Sequence, residues 1–171
     1  MEYLRCSQEI VEGRESDISC CIVAYNLAMS AELGVGHVDL SRDAWDLAVS
    51  SVLWQEFLVA KVDGKIAGFV LTCAYQEGPP IIQMLAVLPN QQRLGAGAHL
   101  LRAALAVCRR RGSPMALAFV RSESARSQRF YASHSGVILL KSPTVDFYGS
   151  PVFPVVFGGA PILNDDGAGA G

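Results

Sequence analysis

The chain is short of charge. Lysine, arginine, aspartate and glutamate make up 18% of its 171 residues and nearly cancel, leaving a formal net charge of −2. A general nucleic-acid binder would carry a basic excess, so this balance argues against one. No apolar run reaches membrane-spanning length. The start, MEYLRCSQEIVEGRESD, is too charged for a signal peptide, so no membrane partner is expected and a cytoplasmic location is. The five cysteines, Cys6, Cys20, Cys21, Cys73 and Cys108, lack C-x-x-C spacing and neighbouring histidines. That spacing argues against a disulfide framework and a zinc site, so no metal is expected and the thiols read as buried and free. None sits beside an activating base or a helix start, which argues against a cysteine nucleophile.

Apolar residues are what the chain has in plenty, at 51% with a mean hydropathy of +0.30. That is enough for a sizeable core, and the length is usual for one domain. Residues 1–163 read as that domain and the polar tail 164–171 as flexible.

The periodicities place the elements. EYLRC (2–6) reads as a short strand. DISCCIVAYNLAMSAEL (17–33) carries Ile18, Cys21, Ile22, Tyr25 and Met29 at helix spacing. Ser41 is placed to cap a second helix, RDAWDLAVSSVLW (42–54), with Asp43 in its first turn. Asp63-Gly64 separates two β-rich runs as a hairpin turn. IIQMLAVL (81–88) is apolar on both faces and so central in a sheet, and Pro89 ends it. A helix follows Gly95 and Gly97 and closes on Arg109, Arg110 and Arg111 before Gly112; those arginines read as dipole compensation on a solvated face. MALAFV is a strand, SESARSQRFYASH a helix, and GVILLK and VFPVVFG two more strands, giving one mixed α/β domain.

The stretch LAVLPNQQRLGAGAHLLRAAL (85–105) joins a strand to a helix through bare backbone. A helix start leaves N–H groups without partners, and its dipole makes that end positive. Glycines there let an anion approach, although they also permit close helix–sheet packing. The turn lacks the Gly-Lys-Ser/Thr of a Walker A loop and the third glycine of a dinucleotide fingerprint.

Gln92, Gly95 and Gly97, following a strand and Pro89, match Q/R-x-x-G-x-G/A. Here the sequence resembles the GCN5-related N-acetyltransferases, the GNAT superfamily. A second match runs from Ser124 to Phe130-Tyr131 and on to Gly136-Val137, with Ser124 where asparagine is usual, Ser127 where alanine is usual, and one extra residue before the glycine. The resemblance implies an α/β (α+β) fold: a mixed, mostly antiparallel sheet of six to seven strands, about four helices, and a splayed strand pair at the cofactor site. It implies acetyl-CoA as co-substrate. Leu85, Ala86 and Val87 would pair with the pantetheine arm, and Gln92, Arg93, Leu94, Gly95, Ala96, Gly97 and Ala98 would wrap the pyrophosphate. Ser124, Arg126 and Tyr131 would complete the cofactor site, and Arg93, Arg126 and Arg129 are placed to meet phosphates.

The implied reaction is acetyl transfer to a primary amine of a small molecule or peptide, by direct attack. An alkyl amine with a pKa near 10 must first become neutral. Tyr131 matches the family's general acid, although Phe130-Tyr131 also suits packing of helix on sheet. Ser124 suits a contact to pantetheine or thiolate, and equally a helix N-cap. Gln83 stands where many members carry a glutamate base. Candidates for that role are Glu77, His37, Glu32 and His134, and Asp146 and Tyr148 are placed to line the acceptor pocket. Glu32, Asp39, Asp43 and Asp46 form an acidic segment suited to a cationic acceptor such as a polyamine, an aminoglycoside or a lysine side chain, or simply to capping and solvation.

Two other readings stay open. One is a non-catalytic acyl-CoA-binding module, which Gln83 favours. The other is a nucleotide-binding protein that uses the same turn. The apolar stretch VFPVVFGGAPIL suits a homodimer edge or the monomer core.

Overall fold

The computed structural model describes residues 8–34, 39–146 and 149–158. The strand expected at 2–6, His37, Tyr148 and the tail 164–171 lie outside the described residues. The stripe expected at 17–33 is realised as α1 (Ile18–Leu33): Ile18 and Cys21 are buried, and Ile22, Tyr25 and Met29 pack on the same cluster. Ser41 caps α2 (Arg42–Val49), its Oγ accepting from the Ala44 N–H at 3.1 Å. This helix is shorter than the sequence suggested. The Ser50 N–H and Oγ both bond back to the Leu47 carbonyl, at 3.2 and 2.9 Å, and close the last turn.

The strands are β1 (Gln8–Glu12), β2 (Trp54–Val62), β3 (Lys65–Ala74), β4 (Ile81–Val87), β5 (Met115–Arg121), β6 (Val137–Ile138), β7 (Thr144–Val145) and β8 (Pro151–Gly158). They form one eight-stranded sheet ordered β1-β2-β3-β4-β5-β8-β6, with β7 also on β8. Asp63 and Gly64, at φ of 50° and 75°, make the hairpin turn between β2 and β3; positive φ at both positions matches the twist of the flanking strands. β6 is shorter than the expected run GVILLK. Leu139 still donates to the Pro154 carbonyl at 2.9 Å, but proline has no N–H to return the bond. β8 is paired on both sides, with Val152, Val155 and Phe157 buried. The part of the apolar segment within β8, residues 152–158, therefore lies inside the sheet, and residues 159–163 lie outside the described residues.

α3 (Ala96–Arg110) and α4 (Ala125–Ser133) cover one face of the sheet; α1 and α2 cover the other. β3 feeds both cores by simple alternation. Phe69 and Leu71 join Trp45 and Cys21 on the α1–α2 side, and Val70 joins Leu100 and Leu101 on the α3–α4 side. Burying each such side chain stabilises the fold by about 1.5–3 kcal/mol. Trp45, Phe57 and Phe69 meet with ring centroids 5.3 to 6.1 Å apart. At the end of α3, Arg110 and Arg111 reach Glu56 at 3.6 and 3.3 Å, and Arg111 lies over the Trp54 ring, as befits a solvated face. Among the described residues no helix is long and apolar enough to cross a membrane.

Candidate functional site

The site begins with a defect in the sheet. Leu71 pairs with Met84 and Thr72 with Ile82, so Gln83 is the extra residue of a bulge in β4. Beyond it β4 leaves its other neighbour: β4 and β5 pair only at Ile81–Leu117 and Ile82–Ala118. A bulge adds twist and bends its strand, which is how one inserted residue splays two neighbours apart. Met84 to Val87 therefore run along a gap.

The same strand leads into the bare turn. Arg93 and Gly95 hold φ of 65° and 91°, and the Gln92 amide donates to the Val87 carbonyl at 2.9 Å, tying the turn to the strand. The first backbone bond of α3 runs from His99 N–H to Gly95 C=O, so the N–H groups of Ala96, Gly97 and Ala98 precede the helical ladder. The two glycines do different work. A Cβ on Gly95 would meet only His99, 4.0 Å away, so its need is the positive φ. A Cβ on Gly97 would sit 3.3 and 3.4 Å from the Phe130 ring, so Gly97 is a packing glycine. Arg93 and Leu94 are exposed at the turn, and Arg126 and Arg129 are exposed on α4.

Across the gap stands the start of α4. Ser124 is its N-cap, accepting from the Ser127 N–H at 3.4 Å, and it is buried. Its hydroxyl donates to Glu32 at the end of α1. Ser127 donates to the same carboxylate through its N–H at 3.1 Å and its Oγ at 3.0 Å. A carboxylate at a helix N-terminus faces the positive end of the dipole. Two turns on, Tyr131 is 8% exposed and packs edge-on to Phe157, 5.7 Å between centroids. Burial, with Tyr25 and Glu32 nearby, pushes its phenol well above the ordinary tyrosine range. Gly136 closes the segment. Its N–H bonds to the Tyr131 carbonyl at 2.9 Å, and a Cβ there would lie 2.8 Å from that oxygen.

A cavity of about 630 Å³ joins these parts. Gln83, Met84, Leu85, Ser124 and Tyr131 line the side toward the gap; α1, α2 and β7 line the other. Arg121 and Asp146 also line it and pair at 3.3 Å. Asn26 secures the connection between α1 and α2, its amide bonding both the N–H and the C=O of Leu40, at 2.8 and 3.0 Å.

The sequence candidates divide accordingly. Leu85, Ser124, Tyr131 and Asp146 come together at the cavity. Glu77 is exposed and outside its lining. His134 bonds the Phe130 carbonyl at 2.7 Å and stacks on that ring, closing its own helix rather than facing the cavity. Glu32 is engaged by α4. Asp46 pairs with Arg42 on the outside of α2. Sequence reasoning passed over Tyr25, Tyr75, Ser127 and Arg121, which line the cavity. Tyr25 read as core because it sits on the apolar stripe of α1. A signal for Ser127 was available in its place one turn after the cap Ser124.

Comparison with known proteins places the fold and the family. No curated protein matches the chain. Among solved structures, the ribosomal-protein-S18-alanine N-acetyltransferase of Escherichia coli is 16% identical, with 92% of this chain and 99% of that one covered, at a TM-score of 0.71. Ard1 of Thermoplasma volcanium is 21% identical, covering 90% and 98%, at 0.67. A GNAT family acetyltransferase of Elizabethkingia anophelis, with acetyl-CoA bound, is 15% identical, covering 88% and 97%, at 0.64. These likenesses show a shared fold. The model of the acetyltransferase (GNAT) family matches residues 24–136, well over half of the sequence, and the chain belongs to that family.

Proposed function

We propose that this acetyltransferase moves the acetyl group of acetyl-CoA onto the nitrogen of a primary amine, by direct attack with both substrates bound. The observation that carries the reading is the splayed β4–β5 pair, which runs from the Gln83 bulge to the N-terminus of α3. An extended pantetheine arm can add to the open strand as a further strand would. A pyrophosphate can lie on the N–H groups of Ala96 to Ala98. The Elizabethkingia structure, of the same fold, holds acetyl-CoA.

In the proposed step the neutral amine attacks the thioester carbonyl carbon. The C–N bond forms and the C–S bond breaks. Tyr131 gives its proton to the departing thiolate, and the surplus proton on nitrogen leaves through water and restores the phenol. Main-chain N–H groups of the open strand suit the oxygen that gains charge, and holding both reactants on one scaffold supplies proximity.

Gln83 at the bulge cannot take a proton, and this favours a second reading: a module that binds acyl-CoA without turning it over. Calorimetry with acetyl-CoA, CoA, dephospho-CoA, ATP and NAD, followed by turnover with amines, tests both. Leu94→Glu is the informative variant. Leu94 is 66% exposed, so the change removes no core and adds a negative charge beside the anion cradle. Acetyl-CoA binding that this variant weakens by roughly tenfold or more supports the site. Binding of ATP or NAD in its place, or of nothing, sinks the acetyl-CoA reading. Binding without turnover of any amine selects the module.

A further inference from the structure

Among the described residues, the acceptor side of the cavity is mainly apolar where the sequence suggested acidity, with Ser50, Ser51, Tyr75 and Thr144 as its uncharged polar members. Met29 and Leu33 of α1, Leu40, Leu47 of α2, Phe119 of β5 and Val145 of β7 line it. Three of these are exposed large apolar side chains: Leu47 at 54%, Phe119 at 41% and Val145 at 64%. An apolar rim of this kind around a concave site marks a surface that takes an apolar ligand.

The charged side chains that line it are already paired, and Asp43, one turn before Leu47 on α2, lies outside the lining. Among the described residues, the charged side chains that line the cavity are Arg121 and Asp146, paired at 3.3 Å, with Glu123 a further 3.8 Å partner of Arg121. The Ser150 N–H also bonds Asp146, at 2.8 Å. Glu32, the acid on α1 nearest this space, is turned to Ser124 and Ser127. Asp46 is held by Arg42. A polycation entering here would have to leave its remaining charges without partners, which is costly in an apolar site. A monoamine carries one charge and loses it before attack.

We infer that the acceptor is a small apolar monoamine, an alkyl- or aralkylamine, whose carbon skeleton lies among Leu47, Phe119 and Val145 and whose nitrogen points toward Tyr131. The inference rests on the acetyl-transfer reading above and specifies its second substrate. It also gives the missing base a physical substitute. Desolvation in an apolar cavity disfavours an ammonium ion, so the site itself promotes the neutral amine that Gln83 cannot generate.

The test compares kcat/KM, with acetyl-CoA as donor, for hexylamine, 2-phenylethylamine, spermidine, kanamycin and a short peptide with a free N-terminus. The expected result is that the two apolar monoamines exceed the polycations and the peptide on the order of 100-fold. Leu47→Glu is expected to lower 2-phenylethylamine turnover by roughly tenfold and to raise spermidine relative to it, with the calorimetric affinity for acetyl-CoA unchanged. Preference for spermidine, kanamycin or the peptide, or no turnover of any amine by protein that binds acetyl-CoA, overturns the inference. Failure to bind acetyl-CoA overturns the underlying reading instead.

Discussion

Ser127 Oγ on α4 lies 3.0 Å from each carboxylate oxygen of Glu32 on α1. The two helices cover opposite faces of the sheet, so this contact straps one face to the other beside the splayed strands. Removing the carboxylate leaves part-buried donors on α4 without it, a loss of about 1–3 kcal/mol. Glu32→Ala should therefore lower the unfolding free energy measured in urea by that amount, whereas Glu32→Gln, which keeps an acceptor, should lose less. Equal stability for wild type and Glu32→Ala would show that the strap contributes nothing.

Tyr131 combines packing and chemistry, and the phenol oxygen separates them. Tyr131→Phe keeps the ring against Phe157 and removes only the proton donor. The expected outcome is a thermal midpoint close to wild type, unchanged acetyl-CoA affinity, and kcat reduced by roughly 10²–10⁴. Burial holds the phenol above its ordinary range, so it stays protonated as pH rises through 10 and gives no alkaline limb there. Among the described residues, the titratable or charged groups around the cavity are Tyr25, Tyr75, Tyr131, Arg121 and Asp146, with Glu32 behind Ser124. Gln83 cannot take a proton and no histidine is among these groups, so kcat/KM for an apolar amine should climb tenfold per pH unit toward the pKa of the amine itself. A plateau from pH 6 to 7 would reveal an enzymic base and refute this account.

The buried thiols give a prediction about alkaline pH. Burial pushes Cys21 and Cys73 up to about 12 from an ordinary value of 9.0, and Cys108 is raised as well. Folded thiols thus keep their protons where unfolded ones release them. Raised folded values mean that their stabilising effect is complete below pH 9 and is lost as pH climbs from there toward 12. Urea midpoints should fall across that window. At pH 8, mass mapping after treatment with an aromatic disulfide should find exposed Cys20 labelled and Cys21, Cys73 and Cys108 untouched until urea is added. Prompt labelling of Cys73 in the native protein would contradict its burial in the sheet.

Local signals carried far in this chain. Asp63-Gly64 named its hairpin, Ser41 its helix, and Gln92 to Gly97 the turn, because each depends on neighbours within a few residues. What escaped depends on distance. Glu32 continues the face of α1 that holds Tyr25 and Met29, yet a lone carboxylate on an apolar face gives no hint of a partner 95 residues away. The acidity between α1 and α2 suggested a cationic acceptor, but the structure commits Glu32 to α4 and Asp46 to Arg42 and leaves Asp39 and Asp43 outside the cavity lining. Gln83 was read as a missing base. Its place as the bulge residue could emerge only from the register of β3 against β4.

Gly95 and Gly97 look equivalent in the sequence and should part under mutation. At Gly95, φ of 91° strains any side chain although the space is open, so Gly95→Ala should lose about 1–2 kcal/mol. At Gly97 the backbone is helical, and the added methyl presses on the Phe130 ring at 3.3 Å. Alanine gains up to about 1 kcal/mol over glycine in a helix, which offsets much of the cost of moving a ring edge by a few tenths of an ångström. Gly97→Ala should thus stay within about 1 kcal/mol of wild type. Urea unfolding of the two variants checks the order. If Gly97→Ala proved the more damaging, the ring contact rather than the left-handed turn would be the feature that bare backbone serves here.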